Sequence, residues 1–247
     1  YTTLFRSKLH SDANYLGNQL GIVYVGLAYR CKGNNATFSD AIEDLEASVQ
    51  WFFDNAENYN ADITRIGFGG ASAGSTLAAI MAQKYTNCKL LVGAEGMYNL
   101  VEHSEERSLF PNQKARIAFG LATENESKKA SAYYNLSENP PNTLLLHGDA
   151  DVLCHYTQSI KFAEKIKSQG GNAKVVLHKD INHTTLNPSI PDVFKESVLE
   201  VAALFIDGFN LNKNTTSLKA LLDKRLKNQY PSSEINESKL VGSWTRL

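Results

Sequence analysis

The chain has 247 residues, of which 43% are hydrophobic, and its 25 basic and 26 acidic residues leave a formal net charge of −1. This length suits one large α/β domain or two small ones, and the apolar content is sufficient for a hydrophobic core. The near-zero net charge does not indicate a nucleic-acid partner, and no apolar run reaches the length of about 18 residues that a membrane-spanning helix needs.

The first half of the chain alternates predicted helices with apolar runs. Residues 9–20 are compatible with a short helix, and the near-continuous apolar run 21–29 predicts a strand that is covered on both faces. A helix with an apolar stripe follows to about Ala56, with Ser39 as its predicted N-cap. Next come predicted strands at 64–69 and 89–93, and between them a predicted helix over 73–83.

The second half of the chain continues the alternation after a long interruption. Residues 98–142 are polar and exceed an ordinary connection in length, so we predict a functional insertion or lid there. Strands are predicted at 143–147 and 173–178, with helices over 156–168 and 191–209. This order of elements predicts an α/β fold with a mainly parallel sheet flanked by helices.

The character of the sequence changes after residue 209. We assign residues 1–209 to the α/β domain and interpret 210–247 as a polar extension or linker. An amphipathic helix candidate lies at 217–228 within it. The apolar run at the end of the chain leads us to expect a further domain after residue 247.

The cysteines indicate neither a disulfide framework nor a metal site. Cys31, Cys88 and Cys154 cannot all pair with one another, and their spacing matches no metal motif. We interpret them as small buried hydrophobic residues. Several N-x-S/T sequons occur in this asparagine-rich chain without establishing secretion. The compartment is left open, with a secreted or periplasmic location slightly favoured over the cytoplasm.

A glycine-dense turn, Gly70-Ala71-Ser72-Ala73-Gly74, joins the strand at 64–69 to the helix at 73–83. This is a G-x-S-x-G pattern, in which a serine on a sharp strand-to-helix turn takes a strained backbone conformation and presents its hydroxyl above the sheet. The residues two before and two after must lack bulk, because side chains there would meet the flanking elements. The alternative interpretation is an ordinary β–α turn, but the apolar strand before it and the helix after it favour Ser72 as a nucleophile.

A serine nucleophile needs a base and a group that orients the base, and both are expected after later strands of a parallel sheet. Asp151 follows the strand at 143–147, where Asp149 is the other carboxylate and the more suitable one for supporting the turn. Asp151 could instead be an acid at the N-terminus of the helix over 156–168. His183 follows the strand at 173–178 and is the predicted base, with His155 as its main competitor.

The order of Ser72, Asp151 and His183 along the chain is that of the α/β-hydrolases. The chain resembles this superfamily over roughly residues 8–207, and more narrowly the small esterases of the hormone-sensitive-lipase and feruloyl-esterase-like groups. The matching segments are Ala28-Tyr29-Arg30, Asp40-Ala41-Ile42-Glu43-Asp44, Asn60-Ala61-Asp62-Ile63-Thr64-Arg65-Ile66, Gly70-Ala71-Ser72-Ala73-Gly74, His147-Gly148-Asp149-Ala150-Asp151 and Asn182-His183. The resemblance implies a Ser72, His183 and Asp151 triad with the Ala73 N–H as an oxyanion donor.

The sequence departs from these esterases at two points. Ser75 stands where they commonly have a second glycine. The greater departure is that no His-Gly-Gly loop, which in the family supplies the other oxyanion donor, occurs in the sequence. We therefore expect that N-terminal strands and this loop are missing from the chain, and that it is a fragment of a longer open reading frame. Residues 2–5 and 239–247 are the two candidates for filling part of the resulting gap in the sheet.

The sequence as a whole predicts a serine hydrolase that cleaves carboxylic esters, with short acyl groups or carbohydrate-linked esters as the expected substrates. The expected partner is a small-molecule ester, with no nucleic acid and no membrane span, and neither a cofactor nor a metal is expected. Two alternatives stay open, namely a catalytically weak or inactive hydrolase-fold binding module and a serine peptidase of the related peptidase group.

Overall fold

The computed structural model describes residues 2–3, 13–30, 36–101 and 119–229. Its strands are β1 (Thr2–Thr3), β2 (Val25–Gly26), β3 (Ile66–Ala71), β4 (Cys88–Ala94), β5 (Asn142–Gly148) and β6 (Ala173–His178). Its α-helices are α1 (Ala13–Leu20), α2 (Phe38–Asp54), α3 (Ala73–Lys84), α4 (Glu124–Lys129), α5 (Thr157–Ser168), α6 (Pro191–Gly208) and α7 (Thr216–Gln229). Short 3₁₀ turns lie at Ala56–Tyr59 and Ala132–Tyr134.

The main sheet has four parallel strands in the order β3-β4-β5-β6. Each strand is followed by a helix or a crossover connection, which is how parallel strands are joined. β3 and most of β4 and β5 are buried, as expected for strands covered on both faces. The carboxyl ends of all four strands therefore meet at one edge, and the loops that follow them are neighbours.

Helices cover both faces of this sheet. One hydrophobic cluster joins the sheet to α2, α3 and α5, with Leu45, Leu77 and Phe162 among its buried members. A second cluster joins the other face to α1, α6 and α7. The predicted parallel sheet with flanking helices is thus the observed architecture. Among the described residues, no helix combines the length and the apolar character needed to cross a bilayer.

The strand predicted at 21–29 is much shorter in the structure. Only Val25 and Gly26 are paired, and their partners are Thr2 and Thr3 in a separate two-stranded parallel sheet. β1 also contacts β3, so residues 2–3 lie between β2 and the main sheet. The rest of the apolar run is not in a ladder, because pairing among the described residues extends over these two positions alone.

The N-cap of α2 is Thr37 and not Ser39, so that prediction was wrong. The Thr37 hydroxyl accepts from the Asp40 N–H at 3.2 Å, and the Asp40 carboxylate accepts from the Thr37 N–H at 2.7 Å. This reciprocal pair is a capping box, which needs an acidic residue three positions after the cap. Ser39 lies inside the first turn and has no such partner position.

Helix α7 occupies much of the segment expected to be a polar linker. Leu218, Leu222 and Leu226 are buried against the cluster formed by α1, α6 and the sheet. Residues 216–229 are therefore packed on the domain, while the boundary after residue 209 stays a prediction. The segments 102–118 of the expected insertion and 239–247 lie outside the described residues, as does Cys31.

Candidate active site

Ser72 occupies the single residue between β3 and α3, with φ 55° and ψ −128°. A positive φ is strained for a residue with a side chain and persists only where the surroundings enforce it. The Ser72 N–H donates to the Ala94 carbonyl at the end of β4 at 2.8 Å, which fixes the turn to the sheet. The Ser72 hydroxyl does not cap α3, so it is not engaged by the helix it precedes.

The glycine at position 70 is required by close approach of the chain to itself. A Cβ at Gly70 would come closer than 3.0 Å to the carbonyl group of Gly74, nearer than real Cβ atoms approach. The steric reason for the G-x-S-x-G pattern is therefore present in the structure. Ala73, the exposed first residue of α3, has an N–H of the kind that lacks an intrahelical partner at a helix start.

Ser75 makes a specific buried contact. Its hydroxyl lies 2.8 Å from the Tyr98 hydroxyl, and both side chains are fully buried. Gly93 and Gly96 leave the room for it, because a Cβ at either position would approach the Ser75 Oγ within 3.0 Å. The serine that departs from the esterase pattern is thus accommodated by two glycines of β4 and its following loop.

Asp151 and His183 form the central polar contact of the site. The His183 Nδ1–H donates to Asp151 Oδ2 at 2.7 Å, and the Asp151 side chain is fully buried. The other carboxylate oxygen, Oδ1, accepts from the N–H groups of Leu153 at 2.8 Å and Cys154 at 2.9 Å. Burial by itself would raise the pKa of the Asp151 carboxyl, but hydrogen bonds from His147 and His183 outweigh it and hold the pKa well below its usual range.

His147 contacts the same carboxylate oxygen as His183. Its Nε2 lies 3.1 Å from Asp151 Oδ2 and 2.9 Å from the Cys154 carbonyl oxygen, and its Nδ1 lies 2.7 Å from Ser159 Oγ. Since both partners of Nε2 only accept, Nε2 carries a hydrogen. His147 is fully buried at the next-to-last position of β5.

The loop that carries His183 is fastened to the turn that carries Asp151. The Ala150 N–H donates to the Ile181 carbonyl at 3.0 Å, and Asn182 Oδ1 accepts from the Val152 N–H at 3.2 Å. Gly148 is needed beneath this contact, because a Cβ there would come closer than 3.0 Å to the Ile181 carbonyl oxygen. These contacts fix the His183 ring against Asp151.

The second ring nitrogen of His183, Nε2, can still accept a hydrogen bond. Its Nε2 is buried and has no hydrogen-bond partner among the described residues. Burial lowers the pKa of His183, but the hydrogen bond to Asp151 and the negative charges of Asp151 and Glu95 outweigh it and raise the pKa above its ordinary value. A base with one nitrogen held by a carboxylate and the other unpaired can accept a proton from a nearby hydroxyl.

The His183 loop also reaches back across the sheet to β4. The Thr185 N–H and hydroxyl both donate to the Glu95 carboxylate, and Glu95 directly follows Ala94, which holds the Ser72 backbone. Ser72 and the His183 loop are therefore tied to adjacent residues at the end of one strand. Glu95 was not predicted from the sequence, although an acid after a buried strand is the same signal that indicated Asp151.

His155 and Asp149, the alternatives to the predicted base and acid, make other contacts. His155 Nδ1 is 2.9 Å from the Thr157 hydroxyl at the start of α5, while the Asp151 carboxylate is occupied by the other two histidines. Asp149 Oδ1 accepts from the Asp180 N–H at 2.6 Å, which joins the turn after β5 to the loop after β6.

Cys88 and Cys154 are buried, as predicted, and burial raises the pKa of both thiols, that of Cys88 to about 12. Within the described ranges, no three His, Cys, Asp or Glu side chains are arranged to hold a metal ion.

A family model with the description BD-FAE matches residues 9–166. Two curated relatives are a probable isoprenylcysteine alpha-carbonyl methylesterase of Oryza sativa subsp. japonica, 26% identical over 193 residues, and one of Arabidopsis thaliana, 26% identical over 201 residues. The alignments cover 68% and 69% of this chain and 46% and 41% of the relatives. The chain thus matches less than half the length of either relative.

Solved esterase structures share the fold. An acetyl ester-xyloside bifunctional hydrolase from Caldicellulosiruptor lactoaceticus aligns with a TM-score of 0.70 at 18% identity, covering 83% of this chain and 82% of that one. Esterase 2 of Thermogutta terrifontis, in a structure phosphonylated by sarin, aligns with a TM-score of 0.71 at 18% identity, covering 86% and 85%. The α/β-hydrolase fold predicted from the sequence is confirmed by this likeness and by the four-stranded parallel sheet.

Proposed function

The chain belongs to the BD-FAE family, and we propose on that premise that it is a serine hydrolase that cleaves carboxylic esters through Ser72, His183 and Asp151. The observation that carries the proposal is the hydrogen bond of 2.7 Å between His183 Nδ1 and the buried Asp151, which leaves the buried Nε2 of His183 unpartnered. A structural histidine in a core would be expected to use both nitrogens. An unpaired Nε2 on a carboxylate-held ring is the arrangement that a general base requires.

In the proposed mechanism, Ser72 Oγ attacks the ester carbonyl while His183 Nε2 takes the hydroxyl proton. The carbonyl oxygen becomes an oxyanion, which the Ala73 N–H at the start of α3 stabilises. His183 then gives its proton to the alcohol oxygen, which leaves as the C–O bond breaks and an acyl-enzyme forms. Water repeats the sequence and releases the acid, and Asp151 stabilises the imidazolium in both halves.

In the esterases that the sequence resembles, a His-Gly-Gly-type loop supplies a second oxyanion donor. Removal of one oxyanion donor costs about 10²–10³-fold in kcat in other serine hydrolases. We therefore propose that full activity needs a second donor beside the Ala73 N–H.

Short acyl esters or carbohydrate-linked esters are the proposed substrates. The names of the relatives support an ester of a carboxylic acid, since two are methylesterases and one solved neighbour is an acetyl ester-xyloside hydrolase. None of these names fixes the acyl group or the alcohol for this chain. A panel of p-nitrophenyl esters of increasing acyl length, followed by acetylated and feruloylated sugars, would define both.

The test is hydrolysis of p-nitrophenyl acetate by the full-length protein and by its Ser72→Ala variant. We expect the variant to lose essentially all activity, whereas the matched control Ser75→Ala, which changes a buried serine one turn away, retains catalysis. A fluorophosphonate probe should label Ser72 covalently, as sarin phosphonylates the Thermogutta esterase. Unchanged hydrolysis by Ser72→Ala would refute the proposal.

Two other outcomes would favour the alternatives. A wild-type protein that is folded but is neither labelled nor active would indicate a binding module on a hydrolase fold. Cleavage of peptides but not of esters in a substrate panel would indicate a serine peptidase.

A further inference from the structure

We propose that Glu95 is a positioning residue of this site, which sets the separation between Ser72 and His183 by holding Thr185. The inference rests on the proposed esterase function and adds a residue that acts through the loop carrying the base. Glu95 is buried, with 3% of its surface exposed, and it directly follows β4. Burial of a carboxylate costs free energy of folding unless hydrogen bonds compensate for the lost water. The groups that donate to Glu95 therefore indicate its role.

Two hydrogen-bond donors to the Glu95 carboxylate come from one residue of the loop that carries His183. The Thr185 N–H and the Thr185 hydroxyl donate to the same carboxylate oxygen, Oε1, and Thr185 is fully buried. Two donors from one residue fix its orientation as well as its position, and hydrogen bonds to a charged acceptor are the stronger kind. Thr185 lies two residues after His183, so the anchor acts within about 7 Å of chain length from the base.

The backbone of Glu95 is tied to the rest of the site. Its N–H donates to the Leu146 carbonyl of β5 at 3.0 Å, and the preceding Ala94 carbonyl accepts from the Ser72 N–H at 2.8 Å. Residues 94 and 95 thus hold the serine turn and the histidine loop at consecutive positions. Movement of one relative to the other would require breaking one of these contacts.

Glu95 is held in a conformation that a side-chain-bearing residue rarely adopts. Its φ is 49°, and Ser72 likewise has a positive φ, of 55°. Such strain persists where the surroundings enforce it, and it clusters at functional sites. The left-handed turn directs the carboxylate of Glu95 to Thr185 directly after the strand ends.

Glu95 also contributes charge. Its negative charge acts on His183, His178, Tyr98 and Cys154. At His183 the charged groups are Asp151, which is hydrogen-bonded, and Glu95, and both stabilise the imidazolium. The anchoring contact and the charge can be separated by substitution, because glutamine keeps the accepting oxygen and removes the charge.

The experiment measures kcat, KM and the pH profile of the full-length protein carrying Glu95→Ala, Glu95→Gln, Thr185→Val or Thr185→Ser. We expect Glu95→Ala to lower kcat about 10–100-fold with little change in KM, because a displaced base affects the reacting geometry and not substrate binding. Thr185→Val should give a smaller loss in kcat, since it keeps the N–H donor, and Thr185→Ser should match the wild type. Glu95→Gln should retain kcat within a few-fold and shift the acid limb of kcat/KM to lower pH, since the imidazolium loses a stabilising charge.

Combining the substitutions tests whether the two residues act through one contact. The double variant Glu95→Ala, Thr185→Val should have the kcat of Glu95→Ala alone. Thermal unfolding and circular dichroism establish that each variant is folded. If Glu95→Ala does not fold, the kcat of Thr185→Val tests whether the contact between the two residues positions the base. The inference is overturned if folded Glu95→Ala and Thr185→Val keep wild-type kcat, or if Glu95→Gln is as impaired as Glu95→Ala. A wild type that fluorophosphonate does not label at Ser72 would instead refute the esterase proposal.

Discussion

His147 Nε2 lies 3.1 Å from Asp151 Oδ2, and both side chains are fully buried. Asp151 therefore contacts two imidazoles, that of His147 near the end of β5 and that of His183 in the loop after β6. The Cys154 carbonyl shares the same Nε2 hydrogen at 2.9 Å. His147 thus orients the acid that orients the proposed base.

Replacement of His147 by alanine should affect both stability and catalysis. Asp151 would keep its hydrogen bonds from His183, Leu153 and Cys154, but the Cys154 carbonyl would lose a buried donor, and an unsatisfied buried group costs about 1–3 kcal/mol in unfolding free energy. We expect kcat to fall by roughly tenfold as Asp151 loses its alignment. His178→Ala is the matched control, because His178 is also buried, ends β6, and lies 3.0 Å from the Ser197 hydroxyl. It should destabilise the fold without lowering kcat, and equal kcat losses in both variants would contradict this role for His147.

The pH dependence of kcat/KM should report the raised pKa of His183. His183 must be neutral to accept the Ser72 proton, so activity is low below its pKa and rises as pH increases through it. Since Asp151 and Glu95 raise that pKa, the acid limb should have its midpoint above the ordinary value of about 6.5. Asp151→Asn should lower kcat by roughly 10⁴-fold and shift the limb to lower pH. The control Asp149→Asn makes the same charge change in the same turn and should do neither, and a wild-type midpoint well below 6.5 would exclude His183 as the base.

Gly148→Ala should displace the loop that carries His183. An added methyl group would overlap the Ile181 carbonyl oxygen, and overpacking of this kind costs about 1–3 kcal/mol. We expect a fall in kcat of up to about 10²-fold from the shifted base. Gly17→Ala is the control, because a Cβ there lies 3.4 Å from the carbonyl oxygen of Ile22, two residues beyond the end of α1, which is an ordinary contact. Urea unfolding and steady-state kinetics measure both effects, and a fully active Gly148→Ala would show that the loop tolerates movement.

Helix α7 should contribute to the stability of the whole domain. Leu222 is fully buried against α1 and α6, and truncation of a buried leucine costs about 2–5 kcal/mol. Leu221→Ala is the neighbouring control, because Leu221 is half-buried and should cost about 1 kcal/mol or less. Chemical denaturation compares the two variants. Equal stabilities would mean that residues 216–229 do not pack on the domain in solution.

The sequence predicted the main sheet well because its strands are short, apolar and bounded by turn residues. The strand predicted at 173–178 has those bounds in the structure, and the one predicted at 143–147 differs by one residue at each end. The run at 21–29 was overestimated, since an apolar sequence permits a strand but only a neighbouring backbone completes it. The packing of α7 was not predicted, because three leucines in a polar stretch give a weak apolar stripe.

By itself, the sequence determined that a serine turn, an acid and a histidine follow three strands of one parallel sheet, and that the carboxyl ends of these strands share one edge. Only the tertiary structure decided which histidine meets Asp151. The register that pairs Gly148 with His178 sets the turn after β5 beside the loop after β6, so His183 contacts Asp151. His155 instead contacts Thr157 at the start of α5. The strand order, with β4 between β3 and β5, also places Glu95 within hydrogen-bond distance of Thr185. Contacts between residues about 30 and 90 positions apart depend on strand pairing, which local sequence patterns do not encode.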